Sequence, residues 1–217
     1  FTRLYTNLFY FIHFDEYHGQ KVSDPYRWLE NFTDDEVREW VRLQNNYSQQ
    51  FLKNRFQKSI KQDLELIWTS EYLSTPFKVG EKIFYYFNTG KLEQNRLMIR
   101  DCESCPERIL IDPNDFSNDG TVSLASVSVS PNAEWIAFAK SDGGSDWRTW
   151  KIMNIASGEI LDDEIEWSKF SSAEWSPDSK GFFYRKYLKP DGEELLDLNS
   201  SPKLMFHSIG KDQINDQ

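Results

Sequence analysis

The sequence predicts a mainly β protein: an incomplete β-propeller of about three blades, preceded by an α-helical amino-terminal segment. Three observations lead to this. Residues 23–71 repeat apolar side chains at the period of helices. Residues 72–217 break into short apolar runs separated by turn residues, and one turn sequence recurs within that region. Aromatic residues make up 16% of the chain, which is typical of folded, sheet-rich proteins.

Residues 23–71 carry the helical pattern. A Ser-Asp-Pro sequence at residues 23–25 places a capping residue before a proline that suits a first helical turn, so a short helix is predicted there. Thr-Asp-Asp-Glu at residues 33–36 has the spacing of a capping box, and the apolar period after it predicts a long amphipathic helix. A third helix is predicted over residues 59–68. Each helix has one apolar stripe that must be buried against something.

From about residue 72 the apolar runs become short and end at Gly, Pro, Asn or Asp, which indicates strands and turns. Strands are predicted at residues 83–87, 96–100, 109–111 and 204–209. Residues 150–155 alternate apolar and polar side chains before an Ala-Ser-Gly-Glu sequence, which is typical of a hairpin.

The recurring turn is the strongest signal of a propeller. Ser-Pro-Asn at residues 130–132 is answered by Ser-Pro-Asp at residues 176–178, and each is followed by an apolar strand. The spacing from Ser130 to Ser176 is 46 residues, within the roughly 40 to 50 residues of a four-stranded blade. Proline presets a turn dihedral, and Asn or Asp bonds its own backbone. The alternative is two unrelated hairpins that share a turn sequence.

Composition narrows the classes of function. Acidic residues outnumber basic ones by 35 to 25, giving a net charge of −10, so no nucleic-acid or anionic-membrane partner is predicted. No apolar run is long enough to span a membrane. Only Cys102 and Cys105 are present, too few for a disulfide framework, which favours a reducing, cytoplasmic location. They form a C-x-x-C sequence in a strand-connecting loop, which predicts an incidental pair, with reversible oxidation as the alternative.

The chain offers no candidate catalytic constellation. It has no G-x-S-x-G nucleophile elbow, no G-x-G-x-x-G and no P-loop. The three histidines, His13, His18 and His207, lack the spacing of metal ligands. No catalytic residue, metal site or cofactor is therefore predicted within these 217 residues.

Several strings together resemble a known family. Tyr-His-Gly-Gln-Lys-Val at residues 17–22 leads into Asp-Pro-Tyr-Arg-Trp-Leu-Glu at residues 24–30. Further matching strings follow in order at residues 87–90, 119–122, 144–147 and 169–171. These resemble the amino-terminal portion of prolyl oligopeptidases, serine peptidases that cut short peptides after proline. The resemblance begins at about Asp15, and residues 1–13 do not match.

The resemblance implies an architecture. The family joins a seven-bladed propeller to an α/β-hydrolase domain, and the early helices belong with the hydrolase. The implied domains are therefore residues 1–71, the helical segment, and residues 72–217, a partial propeller. The catalytic Ser, Asp and His of the family lie in the hydrolase domain, so this chain is expected to be an inactive fragment of a monomeric enzyme. In the complete enzyme the propeller would restrict access to short, proline-containing peptides.

Two substrate-binding residues are implied by the resemblance. Phe170 matches an aromatic residue that the propeller contributes to the substrate pocket, where it would pack on the amino side of proline. Asp146 matches an acid beside a substrate-positioning Arg of the hydrolase domain. The alternatives are that Phe170 is part of the blade core and that Asp146 caps a turn.

Two other functions remain open. A non-catalytic propeller-type interaction module is opposed by the small number of blades and the uncovered helices. An oligopeptidase that cuts after basic residues is opposed by the match around Asn-Thr-Gly at residues 88–90. Unpaired strand edges and the uncovered helical stripe predict that the isolated chain is unstable or prone to aggregate.

Overall fold

A computed structural model describes residues 13–53, 55–190 and 201–217. The unmatched residues 1–12 lie outside this range. The chain divides into two compact units, one ending at Leu64 and the other beginning at Glu65. The domain boundary between residues 71 and 72 stays a prediction.

The first unit opens with a hairpin that the sequence analysis missed. Strands β1 (His13–Tyr17) and β2 (Gln20–Asp24) pair antiparallel around a turn whose residues His18 and Gly19 both have positive φ. The prediction that a helix begins at residues 23–25 is wrong, because β2 continues to Asp24. The short helix that follows is a single 3-10 turn, Arg27–Glu30.

Two α-helices follow, as predicted. Helix α1 (Asp35–Leu52) begins one residue later than the capping-box spacing suggests, because Asp34, not Thr33, caps it by accepting from the Glu36 amide at 2.8 Å. The Thr33 hydroxyl instead donates to Asn31 at 2.8 Å. Helix α2 (Arg55–Trp68) begins four residues before the predicted start.

The apolar stripes of these helices are largely exposed in this chain. Val37 is the one fully buried apolar side chain found in the described part of the first unit. The exposed members of α2 recur at helical spacing: Phe56, Ile60, Leu64, Ile67 and Trp68, the last with 85% of its surface open. The stripe that the sequence predicts is thus present and largely uncovered.

After the last turn of α2, which ends at Trp68, the second unit consists of antiparallel blades. The first blade contains β3 (Tyr72–Leu73), β4 (Phe77–Val79), β5 (Lys82–Asn88), β6 (Arg96–Arg100) and β7 (Glu107–Ile111), with β3 and β4 both paired to β5. The second contains β8 (Ser123–Val129), β9 (Trp135–Ser141), β10 (Arg148–Asn154) and β11 (Ile160–Ser168), paired in sequence order. The third contains β12 (Glu174–Trp175), β13 (Gly181–Lys186) and β14 (Lys203–Ser208).

Each face of the second blade packs on a different neighbour. Side chains such as Ile136 and Phe138 join a buried cluster with Phe84 and Leu97 of the first blade. The alternate residues of the same strands face the third blade, with which they form this cluster: Ala137, Ala139, Trp150, Ile152, Ile165, Ala173, Phe182 and Tyr184. This two-sided burial explains why these strands read as nearly continuous apolar runs.

The 46-residue repeat is a repeat of atomic contacts. The Ser130 hydroxyl donates to Asn132 at 2.7 Å, and the Ser176 hydroxyl donates to Asp178 at 2.7 Å. Ala133 and Ser179, at matching places in the two turns, both have positive φ. Adjacent turns also touch, since the Ser179 hydroxyl accepts from the backbone N–H of Asn132 at 3.2 Å. Two unrelated hairpins would not share this set, so the partial propeller is confirmed.

The two cysteines form a disulfide in the loop between β6 and β7. The loop position agrees with the sequence, and the bond favours the oxidation alternative over an incidental pair. Their Cα atoms are 5.0 Å apart, which suits a disulfide, and they are oxidised.

No helix in the described ranges is long and apolar enough to cross a membrane.

Candidate functional site

Phe170 and Asp146 lie at the same end of the second blade. Asp146 is in the loop between β9 and β10, and Phe170 follows β11. The first residue of β10, Arg148, pairs with the last residue of β11, Ser168. The two loops therefore leave neighbouring strands side by side, and we call them the Asp146 loop (residues 142–147) and the Phe170 loop (residues 169–173).

Phe170 is not part of the blade core. Its surface is 56% exposed, and its φ of 49° lies in the left-handed region that aromatic residues rarely adopt. Such backbone strain persists only where surrounding contacts impose it, and it concentrates at functional sites. An exposed ring in a strained turn is available to a ligand.

Asp146 is exposed, and its carboxylate accepts no hydrogen bond from the residues that the structure describes. Turn capping in this loop falls to Ser145, whose hydroxyl accepts from the Trp147 amide at 3.1 Å and whose own amide donates to the Asp142 carbonyl at 2.9 Å. The turn-capping alternative for Asp146 therefore has no support from the geometry.

The residues that flank this pair touch across the two loops. The Lys169 ammonium lies 3.7 Å from the centre of the Trp147 ring, and an Arg148 guanidinium N–H donates to the Ser171 carbonyl at 2.8 Å. The Trp147 ring also meets Trp167 edge-on, with centroids 5.5 Å apart. Trp147 and Lys169 lie in two of the strings that carry the family resemblance, but no sequence pattern predicts that they touch, because the contact forms only when the loops are brought together.

A cleft of about 790 Å³ lies beside the Asp146 loop. Lys140, Lys151 and Glu164 line it, and Lys151 and Glu164 form an ion pair. The Lys140 ammonium lies 4.2 Å from the centre of the Phe116 ring. Burial, followed by the nearby charge of Lys151, lowers the pKa of Lys140.

The strings that carry the family resemblance in the first blade shape their loops. The Asn88 side chain accepts from the Gly90 amide at 2.8 Å and donates to the Leu92 carbonyl at 3.0 Å. Gly90 has a φ of 81°, and an added Cβ would collide with the Thr69 backbone, so only glycine fits. These residues fix backbone geometry at the end of β5.

A buried polar cluster joins the second and third blades. His207 on β14 is fully buried, with Nε2 2.8 Å from Asp163 on β11 and Nδ1 2.8 Å from Asp216. The Tyr184 hydroxyl donates to Asp216 at 2.7 Å, and burial followed by this bond raises the pKa of Tyr184. No short sequence pattern predicts this cluster, since its members come from β11, β13, β14 and the segment after β14.

Comparison with known proteins decides the family. The family model described as the prolyl oligopeptidase amino-terminal β-propeller domain matches residues 12–217. The chain belongs to the prolyl oligopeptidase family. The early resemblance is therefore confirmed over almost the whole chain.

Relatives within the prolyl oligopeptidase family agree. The prolyl endopeptidases of Elizabethkingia miricola and Elizabethkingia meningoseptica are each 37% identical over 94% of this chain. A solved structure from a study of two prolyl endopeptidases superposes with a TM-score of 0.86 at 31% identity, covering 94% of this chain and 31% of that one. Prolyl oligopeptidase B from Galerina marginata, bound to a 35mer substrate, gives 0.79 at 25% identity, covering 94% and 31%. The chain spans 29% of the length of the Elizabethkingia relatives.

Proposed function

We propose that this chain is the amino-terminal part of a serine endopeptidase that cleaves short peptides on the carboxyl side of proline. The observation that carries this is the family match over residues 12–217, together with relatives named prolyl endopeptidase at 37% identity. The catalytic Ser, His and Asp would come from an α/β-hydrolase domain outside this chain. In that domain His would remove the Ser proton as Ser attacks the peptide carbonyl.

The helical segment would cover part of that hydrolase domain. The exposed stripe on α2, ending at Trp68, is the surface such a domain would bury. We propose the boundary between the helical segment (residues 1–71) and the partial propeller (residues 72–217) on the same ground. The propeller would then restrict the active site to short, proline-containing peptides, and the complete enzyme would be a monomer.

Phe170 would bind the substrate. Its exposed ring, held in a strained turn, offers a flat apolar surface for the part of the peptide on the amino side of proline. Asp146 would orient an Arg of the hydrolase domain through a charge-assisted hydrogen bond. The exposure of its carboxylate supports this role.

A cytoplasmic location stays a prediction. The feature of the structure that opposes it is the Cys102–Cys105 disulfide, because disulfides persist mainly in oxidising compartments. Fractionation of cells that express the full-length protein would decide between the cytoplasm and an oxidising compartment.

The test is hydrolysis of matched reporter peptides by the full-length protein. We expect cleavage after Gly-Pro and little after Gly-Arg, and no cleavage of either by the 217-residue chain alone. Cleavage preferring Gly-Arg would instead identify an oligopeptidase specific for basic residues. Activity of the isolated chain would show that the catalytic groups lie within it.

Two substitutions test the proposed site residues. Phe170→Ala should raise KM about tenfold for reporters extended on the amino side of proline, the loss of roughly one aromatic contact. Its matched control is Phe183→Ala, which removes another partly exposed Phe, from strand β13. Asp146→Asn should lower kcat/KM about tenfold, whereas Asp162→Asn, at an exposed site on β11, should not.

A further inference from the structure

Lys169 occupies an unusual position for a lysine. Only 6% of its surface is exposed, and no carboxylate among the described residues lies within ion-pair distance of it. Burying an ammonium group is costly unless the charge is compensated. Here the compensation comes from the face of Trp147, 3.7 Å from the ammonium nitrogen, an arrangement that is more favourable away from water.

The contact between Lys169 and Trp147 matters because each residue is the chain neighbour of a proposed site residue. Lys169 immediately precedes Phe170, and Trp147 immediately follows Asp146. A second contact joins Arg148, the residue after Trp147, to the carbonyl of Ser171, the residue after Phe170, at 2.8 Å. The two contacts therefore lie on either side of Phe170 and tie its loop to the two residues that follow Asp146.

The backbone around Lys169 needs such support. Trp167 has a φ of 59° and Phe170 a φ of 49°, so Lys169 lies between two residues in the left-handed region. The Trp147 ring is itself held by edge contacts with Trp167 and with Tyr187, whose centroid is 6.1 Å away. Because these two contacts hold the Trp147 ring in place, the Lys169 ammonium packs on a fixed surface.

We propose that Lys169 is a positioning residue that, through Trp147, fixes the Phe170 ring relative to the Asp146 carboxylate before substrate binds. The proposal rests on the proposed function, in which both residues serve the peptide site. Preorganisation of this kind saves the cost of ordering the loops when the substrate arrives. Lys169 itself does not touch the peptide.

The experiment compares Lys169→Met with Lys169→Arg in the full-length enzyme. Methionine keeps length and loses the charge, whereas arginine keeps the cation for the Trp147 ring. Hydrogen exchange of residues 142–147 and 169–171 should be faster in the methionine variant and near wild type in the arginine variant. Unchanged exchange in the methionine variant would overturn the proposal that Lys169 ties the two loops together through Trp147. This outcome does not depend on whether the enzyme cleaves prolyl peptides.

Kinetics then separate positioning from support of the fold. For a reporter extended on the amino side of proline, Lys169→Met should raise KM about threefold to tenfold, the range of one such contact, with kcat within about twofold. A Gly-Pro reporter too short to reach Phe170 should keep its KM, and Lys169→Arg should restore the longer reporter. Equal losses on both reporters, or faster exchange with no change in KM, would overturn the positioning role.

Phe170→Ala distinguishes this failure from failure of the proposed site. If that variant raises KM for the longer reporter while Lys169→Met does not, Phe170 binds substrate without help from the contact between Lys169 and Trp147. If Phe170→Ala has no effect, the proposed role of Phe170 is wrong, and the exchange data alone decide whether Lys169 ties the loops together.

Discussion

The helical unit and the propeller unit bury their apolar residues to very different extents. In the described part of the first unit only Val37 is a buried apolar side chain, whereas the second unit contains two buried clusters, one on each face of the second blade. Both regions have clear apolar periods in the sequence. A period therefore shows that a face will be buried, but not whether the partner lies in the same stretch of chain.

The largest effect we expect is in backbone hydrogen exchange of the 217-residue chain on its own. Amides of α1 and α2 should exchange about a thousandfold faster than those of β9 and β10, because unsupported helices are marginal in water and the strands lie in a packed core. Mass spectrometry at low protein concentration measures this. Equal protection of helices and strands would mean that the helices have a core within this chain.

Phe182→Ala probes the core of the propeller unit. Phe182 is fully buried against Trp150, Trp175 and Tyr184, so its loss should cost about 3–5 kcal/mol of local stability, measured by hydrogen exchange of β13 in the full-length protein. Phe183→Ala removes the adjacent ring, which is 42% exposed, and should cost about 1 kcal/mol. Similar costs would contradict the assignment of the two faces.

His207→Ala should be nearly as damaging, by about 3 kcal/mol, because it leaves the buried carboxylates of Asp163 and Asp216 without their shared partner. The control is Ser208→Ala, at an exposed position on the same strand. Exchange of β11 and β14 amides reports both. A small effect would show that water or another group replaces the imidazole.

Tyr184→Phe tests the same cluster through pH. Because burial and the bond to Asp216 raise the pKa of Tyr184, the fold favours its neutral form. This stabilisation is complete below the pKa of an unfolded tyrosine, about 10, and is lost as pH rises through the raised value. Above pH 10 the wild type should lose up to about 1.4 kcal/mol per pH unit more than the variant in alkaline unfolding. If the stabilities of the wild type and Tyr184→Phe fell in parallel above pH 10, the raised pKa of Tyr184 would be contradicted.

The smallest effect we expect is Trp68→Ser in the isolated chain, within about 0.5 kcal/mol, because 85% of this side chain is exposed there. The same change in the full-length protein should cost about 3 kcal/mol if a hydrolase domain covers it. Hydrogen exchange of α2 amides in the two proteins at low protein concentration, each beside its own wild type, measures the contrast. Equal effects in the isolated chain and the full-length protein would contradict the proposal that a hydrolase domain covers α2.

Much of the fold could be predicted because its signals are local. The turns at Ser130 and Ser176 contain their own hydrogen-bond partners, and the strands beside them follow the apolar pattern. The β1–β2 hairpin was missed because its polar strands have no apolar alternation, although Gly19 marks its turn. Phe170 and Asp146 came from family resemblance alone, and their roles stay predictions.

The remainder depended on contacts that no short pattern encodes. Lys169 meets Trp147 only when β10 and β11 pair, and His207 meets Asp163 only when the third blade packs on the second. The Cys102–Cys105 disulfide was missed for a different reason. The C-x-x-C spacing permits a disulfide, but two cysteines are too few for a disulfide framework and so favour reduced thiols.

The 46-residue repeat also bears on how the protein is made. Strands of the second blade find their partners within a few tens of residues, so that blade can pair during synthesis, while later parts of the chain are still on the ribosome. Helices α1 and α2 emerge before it, carrying an apolar stripe that the blades do not need. During that interval the apolar stripe would stay exposed on the nascent chain, where chaperones would bind it.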